Sequence, residues 1–160
     1  MTVNRLRIRP FRPGDQNAAR QLILAGLAEH FGWLDESCNP DLDDIAANYV
    51  ARGHIFLVAE LAAELVGTGA LVVAGDGTGQ IVRVSVAAAS RRQGIGHLLL
   101  ARLLEAARAR DLAQVWVETN DTWIDAISLY RESGFRECAR ADGNIYLALQ
   151  LRRNFGARLA

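Results

Sequence analysis

The apolar positions of the chain change their spacing several times, and each change predicts a new element of structure. Near the start, Leu6 and Ile8 alternate with arginines, which indicates a short half-exposed strand that ends at Pro10. Apolar residues then recur at helical intervals, which predicts a helix that Asp15 caps and that runs to about His30.

The middle of the chain turns from helical to strand-like spacing. A second helix is predicted from Leu42 to about Arg52, where Gly53 stops it. The residues that follow are rich in β-branched and aliphatic side chains, and the glycine-rich turn at 75–79 favours a tight reversal. This pattern predicts a meander of strands at residues 55–59, 65–73 and 81–86.

Helical and strand-like spacing alternate in the second half of the chain. Helices are predicted from Gly94 to about Arg110 and from Asp121 or Thr122 to Ser133. The resulting order, β-α-α-β-β-β-α-β-α-β-β, indicates an α+β fold with one central β-α-β crossover. The remaining strands are predicted at residues 115–117, 135–140 and 145–151.

Length and composition narrow the class of protein. A chain of 160 residues is one domain by length. We assign the domain to residues 1–151 and interpret residues 152–160 as a loose Arg-rich tail, with a homodimer contact as the alternative.

All 18 basic residues are arginine, and without lysine neither a P-loop nor a pyridoxal-binding site can be built. Two cysteines and no long apolar run favour a soluble, cytoplasmic protein without a membrane segment.

The charges are balanced overall but are divided between the two halves. Residues 1–80 carry six arginines against ten acidic residues, and residues 81–160 carry twelve against eight. A chain of zero net charge is a poor binder of nucleic acid, whereas a basic half suits a small polyanion.

The basic half contains a turn that suits a phosphate group. A predicted strand ends at Val86, and Arg91 and Arg92 precede Gly94 and Gly96 at the start of a long helix. The glycines allow close backbone approach, and the free N–H groups and dipole of the first helical turn attract an anion. A surface turn with two solvated arginines is the alternative. The Rossmann fingerprint is excluded, because a leucine occupies the third position after Gly96.

A second segment combines a strand end with an amphipathic helix. Ala126, Ile127 and Tyr130 lie on one helix face at spacings of three and four residues. Tyr130 is therefore expected to point inward, either as a functional hydroxyl or as a core tyrosine whose hydroxyl is hydrogen-bonded.

Together the two segments resemble the GNAT superfamily of N-acetyltransferases. The first is similar to that family's coenzyme A signature, R/Q-x-x-G-x-G/A after a Val-x-Val strand, and the second to its N…A-x-x-L-Y-x-x-x-G-F signature. The resemblance implies a GNAT-like acyl-CoA N-acyltransferase fold, with a mixed central sheet of about seven strands and four helices. The matching residues are Val84, Val86, Arg91, Gly94 and Gly96, then Asn120, Ala126, Leu129, Tyr130, Gly134 and Phe135.

The resemblance also implies a cofactor and a mechanism. Acetyl-CoA would donate the acetyl group to an amine that attacks it directly. The amide of Val86 would hold the developing oxyanion, and Tyr130 would protonate the departing thiolate. The residues expected to bind the cofactor are Val84, Ser85, Val86, Arg91, Arg92, Gln93, Gly94, Ile95, Gly96, His97, Asn120 and Tyr130.

The general base is the point at which this chain departs from the family. Many relatives carry a glutamate on the strand where this chain has Gln80 and Val82, neither of which accepts a proton. Glu118, near the end of the fifth strand, is the first candidate base. Glu29, His30 and a chain of water molecules are the alternatives.

The predicted activity is transfer of acetyl from acetyl-CoA to a primary amine of a small molecule or peptide. A non-catalytic acetyl-CoA-binding regulatory module is the alternative, because the strand glutamate is missing. His30, Trp33 and Trp123 are expected to line the acceptor site, with a simple packing role as the alternative for Trp33. Neither a metal ion nor a nucleic acid is expected as a partner.

Overall fold

A computed structural model describes residues 5–151 of the chain, so the predicted tail at 152–160 lies outside the described residues. Its seven strands form one mixed sheet in the order β1-β2-β3-β4-β5-β7-β6. Every neighbouring pair is antiparallel except β4 and β5, which are parallel. The strands are β1 (Arg7–Pro10), β2 (Ile55–Leu61), β3 (Glu64–Val73), β4 (Thr78–Val86), β5 (Gln114–Asn120), β6 (Arg136–Ala141) and β7 (Asn144–Gln150). The predicted α+β class and strand order are confirmed.

Three of the four predicted helices are regular: α1 (Gln16–Phe31), α2 (Ile95–Ala109) and α3 (Ile124–Glu132). The predicted helix from Leu42 to Arg52 is instead a 3₁₀ turn at Pro40–Asp43 followed by a π-helical turn at Ala46–Val50. The Asp44 carboxylate accepts a hydrogen bond from the N–H of Ala47 and its carbonyl accepts one from the N–H of Asn48, so helical pairing begins only at Asp44. No helix within residues 5–151 is long and apolar enough to cross a membrane.

Two predicted helix caps are wrong. Asp15 precedes α1, but its carboxylate accepts hydrogen bonds from Arg9 and from the N–H of Arg12 rather than from the first turn of the helix. Helix α3 begins only at Ile124, because the N–H and hydroxyl of Thr122 donate to the side chain of Asn120 in the preceding turn. The Asp15 carboxylate is thus occupied by Arg9 and Arg12, and the Thr122 hydroxyl is occupied by Asn120.

The sheet has an apolar core on each face. Helices α2 and α3 cover one face, where Leu71, Leu99 and Leu103 are fully buried. Helix α1 and the turns at residues 40–50 cover the other, around Ile45 and Phe56. Burial of each such side chain contributes about 1.5–3 kcal/mol. Helix α2 packs closely because β3 presents glycine beneath it; a Cβ at Gly67 would lie 2.9 Å from Leu99 Cδ1.

Strands β4 and β5 diverge and leave a wedge in the sheet. They pair only where Thr78–Gln80 faces Gln114–Trp116, whereas β5 pairs with β7 over its whole length. The β5-facing edge of β4 after Gln80 therefore has no strand partner among the described residues. Main-chain N–H and C=O groups on such an edge are available to a ligand.

A β-bulge interrupts β4 opposite β3. Thr68 pairs with Ser85 and Ala70 pairs with Val82, so Arg83 and Val84 together face one residue of β3. Arg83 adopts a left-handed conformation with φ of 56°. Because of this extra residue, Val82 packs in the α1 core whereas Val84 packs in the α2 core.

Candidate active site

The predicted phosphate turn has the geometry that an anion site needs. Gly94 has φ of 79° and precedes α2 without any side-chain cap. The N–H of Leu98 bonds to the carbonyl of Gly94, which leaves the N–H groups of Ile95, Gly96 and His97 without helical partners. Nothing lies within 4 Å of a Cβ built on Gly94, so the space over the turn is open. The turn can therefore hold a phosphate group against free backbone donors.

A cavity of about 770 Å³, hereafter the larger cavity, lies between this turn, α1 and the start of α3. It brings together most of the residues that the sequence predicted. Twelve of them line it: His30, Val84, Ser85, Val86, Arg91, Arg92, Gly94, Ile95, Gly96, His97, Trp123 and Tyr130.

Three predicted site residues line neither this cavity nor the smaller cavity beside it. Gln93 is exposed and lines neither of the two cavities described here. Asn120 accepts hydrogen bonds from Thr122 and serves the turn after β5. Trp33 is 70% exposed and lines neither cavity.

The backbone of Val86 faces the wedge between β4 and β5. The N–H of Ala87 donates to the carbonyl of Val66. Hydrogen-bonded and non-hydrogen-bonded pairs alternate in an antiparallel ladder, so the adjacent pair, Gly67 with Val86, is not hydrogen-bonded. The N–H and C=O of Val86 consequently point away from β3, which is the orientation that an oxyanion donor requires.

The two arginines of the turn differ in their contacts. Arg91 forms a bidentate ion pair with Glu29 of α1 at 2.6 and 2.8 Å, and its Nε donates to the carbonyl of Val86 at 3.2 Å. Arg92 lines the larger cavity and forms no side-chain hydrogen bond within residues 5–151. The hydrogen bonds from Arg91 lower the pKa of Glu29, which makes Glu29 a weak base.

Tyr130 is the most deeply buried polar group of the site. Its side chain is 5% exposed, and its ring packs edge-on against Phe135 at 5.6 Å. No group within residues 5–151 hydrogen-bonds to its hydroxyl, unlike the satisfied core tyrosine that was the alternative. Burial raises the pKa of Tyr130, so the phenol is protonated at neutral pH and can donate its proton.

A second, smaller cavity of about 360 Å³ adjoins the larger one. Glu118 and Val117 of β5 line it, and the Oε1 atom of Glu118 accepts hydrogen bonds from Asn144 at 2.9 Å and Tyr146 at 3.0 Å. Tyr130 therefore stands where the two cavities meet. The residues that line both are Val84, Ser85, Trp123, Ala126 and Tyr130.

An ion-pair network in the smaller cavity was not predicted. Arg83 binds the Asp41 carboxylate through Nε at 3.0 Å and Nη2 at 2.7 Å, and the Tyr49 hydroxyl donates to Asp41 at 2.5 Å. Burial favours neutral Asp41, but the bonds from Arg83 and Tyr49 outweigh it and lower the pKa of Asp41. Burial and the Asp41 carboxylate raise the pKa of Tyr49 to about 12. The only sequence signal was an arginine within an apolar strand, and nothing there identified its partner.

Three aromatic rings pack together beside the larger cavity. His30 of α1 stacks on Trp123 with ring centroids 4.3 Å apart and planes 10° apart. Phe31 meets the same indole edge-on at 6.4 Å. His30 lines the larger cavity and Trp123 lines both cavities, and the two rings are in contact. Within residues 5–151 no cluster of three His, Cys, Asp or Glu side chains could hold a metal ion.

Known proteins are similar in sequence to this chain over most of its length. The profile of the acetyltransferase (GNAT) family matches residues 21–135. N-acetyltransferase 8B of Rattus norvegicus is 33% identical over 111 residues, which are 66% of this chain and 50% of that protein. The chain thus spans about half the length of the curated relatives it matches.

Solved structures share the fold at lower sequence identity. A GNAT-family acetyltransferase of Staphylococcus aureus Mu50 has a TM-score of 0.86 at 23% identity and covers 92% of this chain and 100% of its own. The PaiA N-acetyltransferase of Thermoplasma acidophilum, solved in complex with coenzyme A, has a TM-score of 0.82 at 13% identity, with 92% and 99% covered. Residues 21–135, which match the family profile, run from within α1 to just before β6. They include the phosphate turn, the wedge and Tyr130. The chain belongs to the acetyltransferase (GNAT) family.

Proposed function

We propose that this chain transfers an acetyl group from acetyl-CoA to a primary amine of a small molecule or peptide. The observation that carries the proposal is the position of the Tyr130 hydroxyl, which makes no hydrogen bond within residues 5–151 and opens where the two cavities meet. A proton donor at that junction can act on a leaving group in one cavity while a nucleophile enters from the other.

The larger cavity fits the cofactor. The unpaired N–H groups at the start of α2, with Arg92 beside them, would bind the pyrophosphate. The free edge of β4 would pair with the extended pantetheine arm as an added strand does. When bound, acetyl-CoA supplies an activated thioester carbonyl and a thiolate leaving group.

The residues of the wedge would carry out the transfer. The Val86 N–H, which points away from β3, would donate to the oxygen of the thioester carbonyl as its charge develops. Tyr130 would give its proton to the departing sulfur. A free thiol has a pKa of about 8.5 and a free tyrosine one of about 10, and these values are close enough for the phenol to act as the general acid.

The smaller cavity supports an amine as acceptor. Glu118 and Asp41 bring two carboxylates to it and Arg83 brings one guanidinium, which leaves one negative charge to attract an ammonium group. We propose Glu118 as the base, since its Oε1 is fixed by Asn144 and Tyr146 while its Oε2 makes no hydrogen bond within residues 5–151.

The proposal is tested by release of free thiol from acetyl-CoA across a panel of small amines and N-terminal peptides. We expect turnover with at least one class, and Tyr130→Phe should lower kcat by roughly a hundredfold while the KM for acetyl-CoA changes little. Thermal stabilisation by acetyl-CoA without turnover on any amine would instead identify the regulatory binding module. The lack of a carboxylate at Gln80 and Val82 favours that second function. Full activity of Tyr130→Phe would remove Tyr130 from the mechanism.

A further inference from the structure

The β-bulge of β4 decides which backbone groups face the wedge. The pairs Gly67–Val86 and Thr68–Ser85 lie on one side of the bulge, and Ala70–Val82 lies on the other. If β4 slipped by one residue, the N–H of Val86 would turn toward β3 and that of Ser85 would turn toward the wedge. The proposed oxyanion donor therefore depends on the bulge staying at Arg83.

The bulge residue has an unfavourable backbone conformation. Arg83 has φ of 56°, in the left-handed region that favours glycine. A bulky residue persists there only when its surroundings hold it. The structure shows what holds it, at both its carbonyl and its side chain.

The contacts to Arg83 come from several separate elements. The buried hydroxyl of Thr68, on β3, donates to the Arg83 carbonyl at 2.8 Å. The guanidinium donates two hydrogen bonds to the Asp41 carboxylate, and its Nη1 donates to the Asn39 side chain at 3.1 Å. The Tyr49 hydroxyl holds Asp41 from the π-helical turn. The guanidinium and the carboxylate are only 20% and 30% exposed, so solvent does little to weaken the pair.

We propose that the Arg83–Asp41 pair is a positioning device that keeps the β-bulge in place and so aims the Val86 N–H at the thioester. Arg83 is a positioning residue, because it acts through the backbone of β4 and not on the acetyl group. The effect on rate rests on the proposed acetyl transfer, whereas the effect on strand register does not. The pair joins β4 to a loop 42 residues earlier in the chain, so it forms only in the folded domain.

The test compares Asp41→Asn with a matched control, Asp15→Asn. Both changes remove the charge of a carboxylate that holds a half-buried arginine, but the Arg9–Asp15 pair lies at β1, away from both cavities. Amide hydrogen exchange is measured at Ser85 and Ala87, whose N–H groups bond to β3, and steady-state kinetics are measured with acetyl-CoA.

For Asp41→Asn we expect exchange at Ser85 and Ala87 to accelerate by roughly tenfold, and kcat to fall ten- to a hundredfold with little change in the KM for acetyl-CoA. Asp15→Asn should leave both measurements unchanged, even where it lowers the thermal stability as much as Asp41→Asn does or more. Arg83→Gly lacks the pair but adopts the positive φ without strain, so it should lose less kcat than Asp41→Asn. The double variant Arg83→Gly/Asp41→Asn should be no worse than Arg83→Gly alone.

Three results would overturn the inference. The first is equal exchange and kcat for Asp41→Asn and Asp15→Asn, the second is faster exchange with unchanged kcat, and the third is additive losses in the double variant. A wild-type chain that turns over no amine would refute the proposed function instead. In that case the exchange rates and the affinity for acetyl-CoA, compared between the same variants, still decide whether the pair sets the register of β4.

Discussion

At the scale of single residues, the Arg91–Glu29 pair changes how the phosphate turn is understood. Arg91 was predicted as a pyrophosphate ligand, yet its guanidinium faces a carboxylate in the structure. Both side chains are about half exposed, at 41% and 55%, so the pair is weak and can be broken by a better anion. Glu29 would therefore compete with the proposed cofactor for Arg91.

We predict that Glu29→Gln strengthens acetyl-CoA binding by about two- to fivefold, because breaking an exposed ion pair costs little and its loss removes only a weak competitor. Isothermal titration calorimetry at low salt measures the change. Glu36→Gln is the control, since it loses a comparable exposed contact with Arg20 outside both cavities. Weaker binding by Glu29→Gln would mean that Glu29 orients Arg91 for the cofactor rather than competing for it.

The buried phenol of Tyr130 leads to a prediction about pH. Burial raises the pKa of Tyr130, and a free tyrosine already titrates near ~10. The rate should therefore rise as the amine loses its proton and should show no descending limb below pH ~10. The pH dependence of kcat measures this, with folding checked at each pH by circular dichroism. A descending limb below that pH that disappears in Tyr130→Phe would contradict the expected direction of the shift.

At the scale of elements, the site is made by ends and interruptions of regular structure. The turn before α2, the divergence of β4 from β5 and the bulge at Arg83 each leave backbone groups without their usual partners. The scaffold around them is rigid, since α2 is pressed onto β3 over Gly67. Function in this domain thus uses the backbone as much as side chains.

We predict that Gly94→Glu abolishes measurable acetyl-CoA binding, because it places a carboxylate where the phosphate would lie and strains a backbone with φ of 79°. Gly77→Glu is the matched control, with φ of 85° and open space around its Cβ, in the turn between β3 and β4. Both variants should lose about 1 kcal/mol of stability. Equal cofactor binding by the two would place the phosphate elsewhere.

At the scale of the whole molecule, two half-buried carboxylates tie distant segments together. Asp15 links the start of α1 to β1 through Arg9, and Asp41 links the loop before the π-helical turn to β4 through Arg83. The hydrogen bond from Arg9 lowers the pKa of Asp15, and Arg83 and Tyr49 lower that of Asp41 against the effect of burial. Both groups bind protons more weakly in the folded state than in the unfolded state.

The lowered pKa values of Asp15 and Asp41 set the direction in which the free energy of unfolding changes with pH. A carboxylate with a depressed folded pKa contributes stability above its unfolded value of about 3.9 and loses it as pH falls through the folded pKa. We therefore predict that the free energy of unfolding declines as pH falls below about 4, and that Asp15→Asn and Asp41→Asn each flatten the decline. Urea denaturation between pH 7 and pH 2 measures it. An unchanged slope in both variants would show that other groups control acid unfolding.

Much of this domain was accessible from local patterns. The switch from helical to strand-like spacing near Ile55 and the glycine-rich turn at 75–79 predicted the meander, since both signals act between near neighbours. Tyr130 was predicted to point inward for the same reason. The helix at 42–52 was mistaken because Asp44 bonds locally. The local contact of Asn120 with Thr122 and the exposure of Trp33 could not be predicted, because a motif letter and an aromatic type do not say where a side chain points.

The sequence alone determined the order of elements, the family signatures and the placement of Gly94 and Tyr130 on their helices, because spacing along the chain settles those features. Only the tertiary structure decided that β4 leaves β5 after Gln80, that Arg83 forms the bulge, and that Asp41 holds it. Alternation alone would put Val82, Val84 and Val86 on one face. The bulge separates Val82 from Val84 and Val86, and the arginine at the bulge pairs with a residue 42 positions earlier. Such long-range contacts form only when the chain folds.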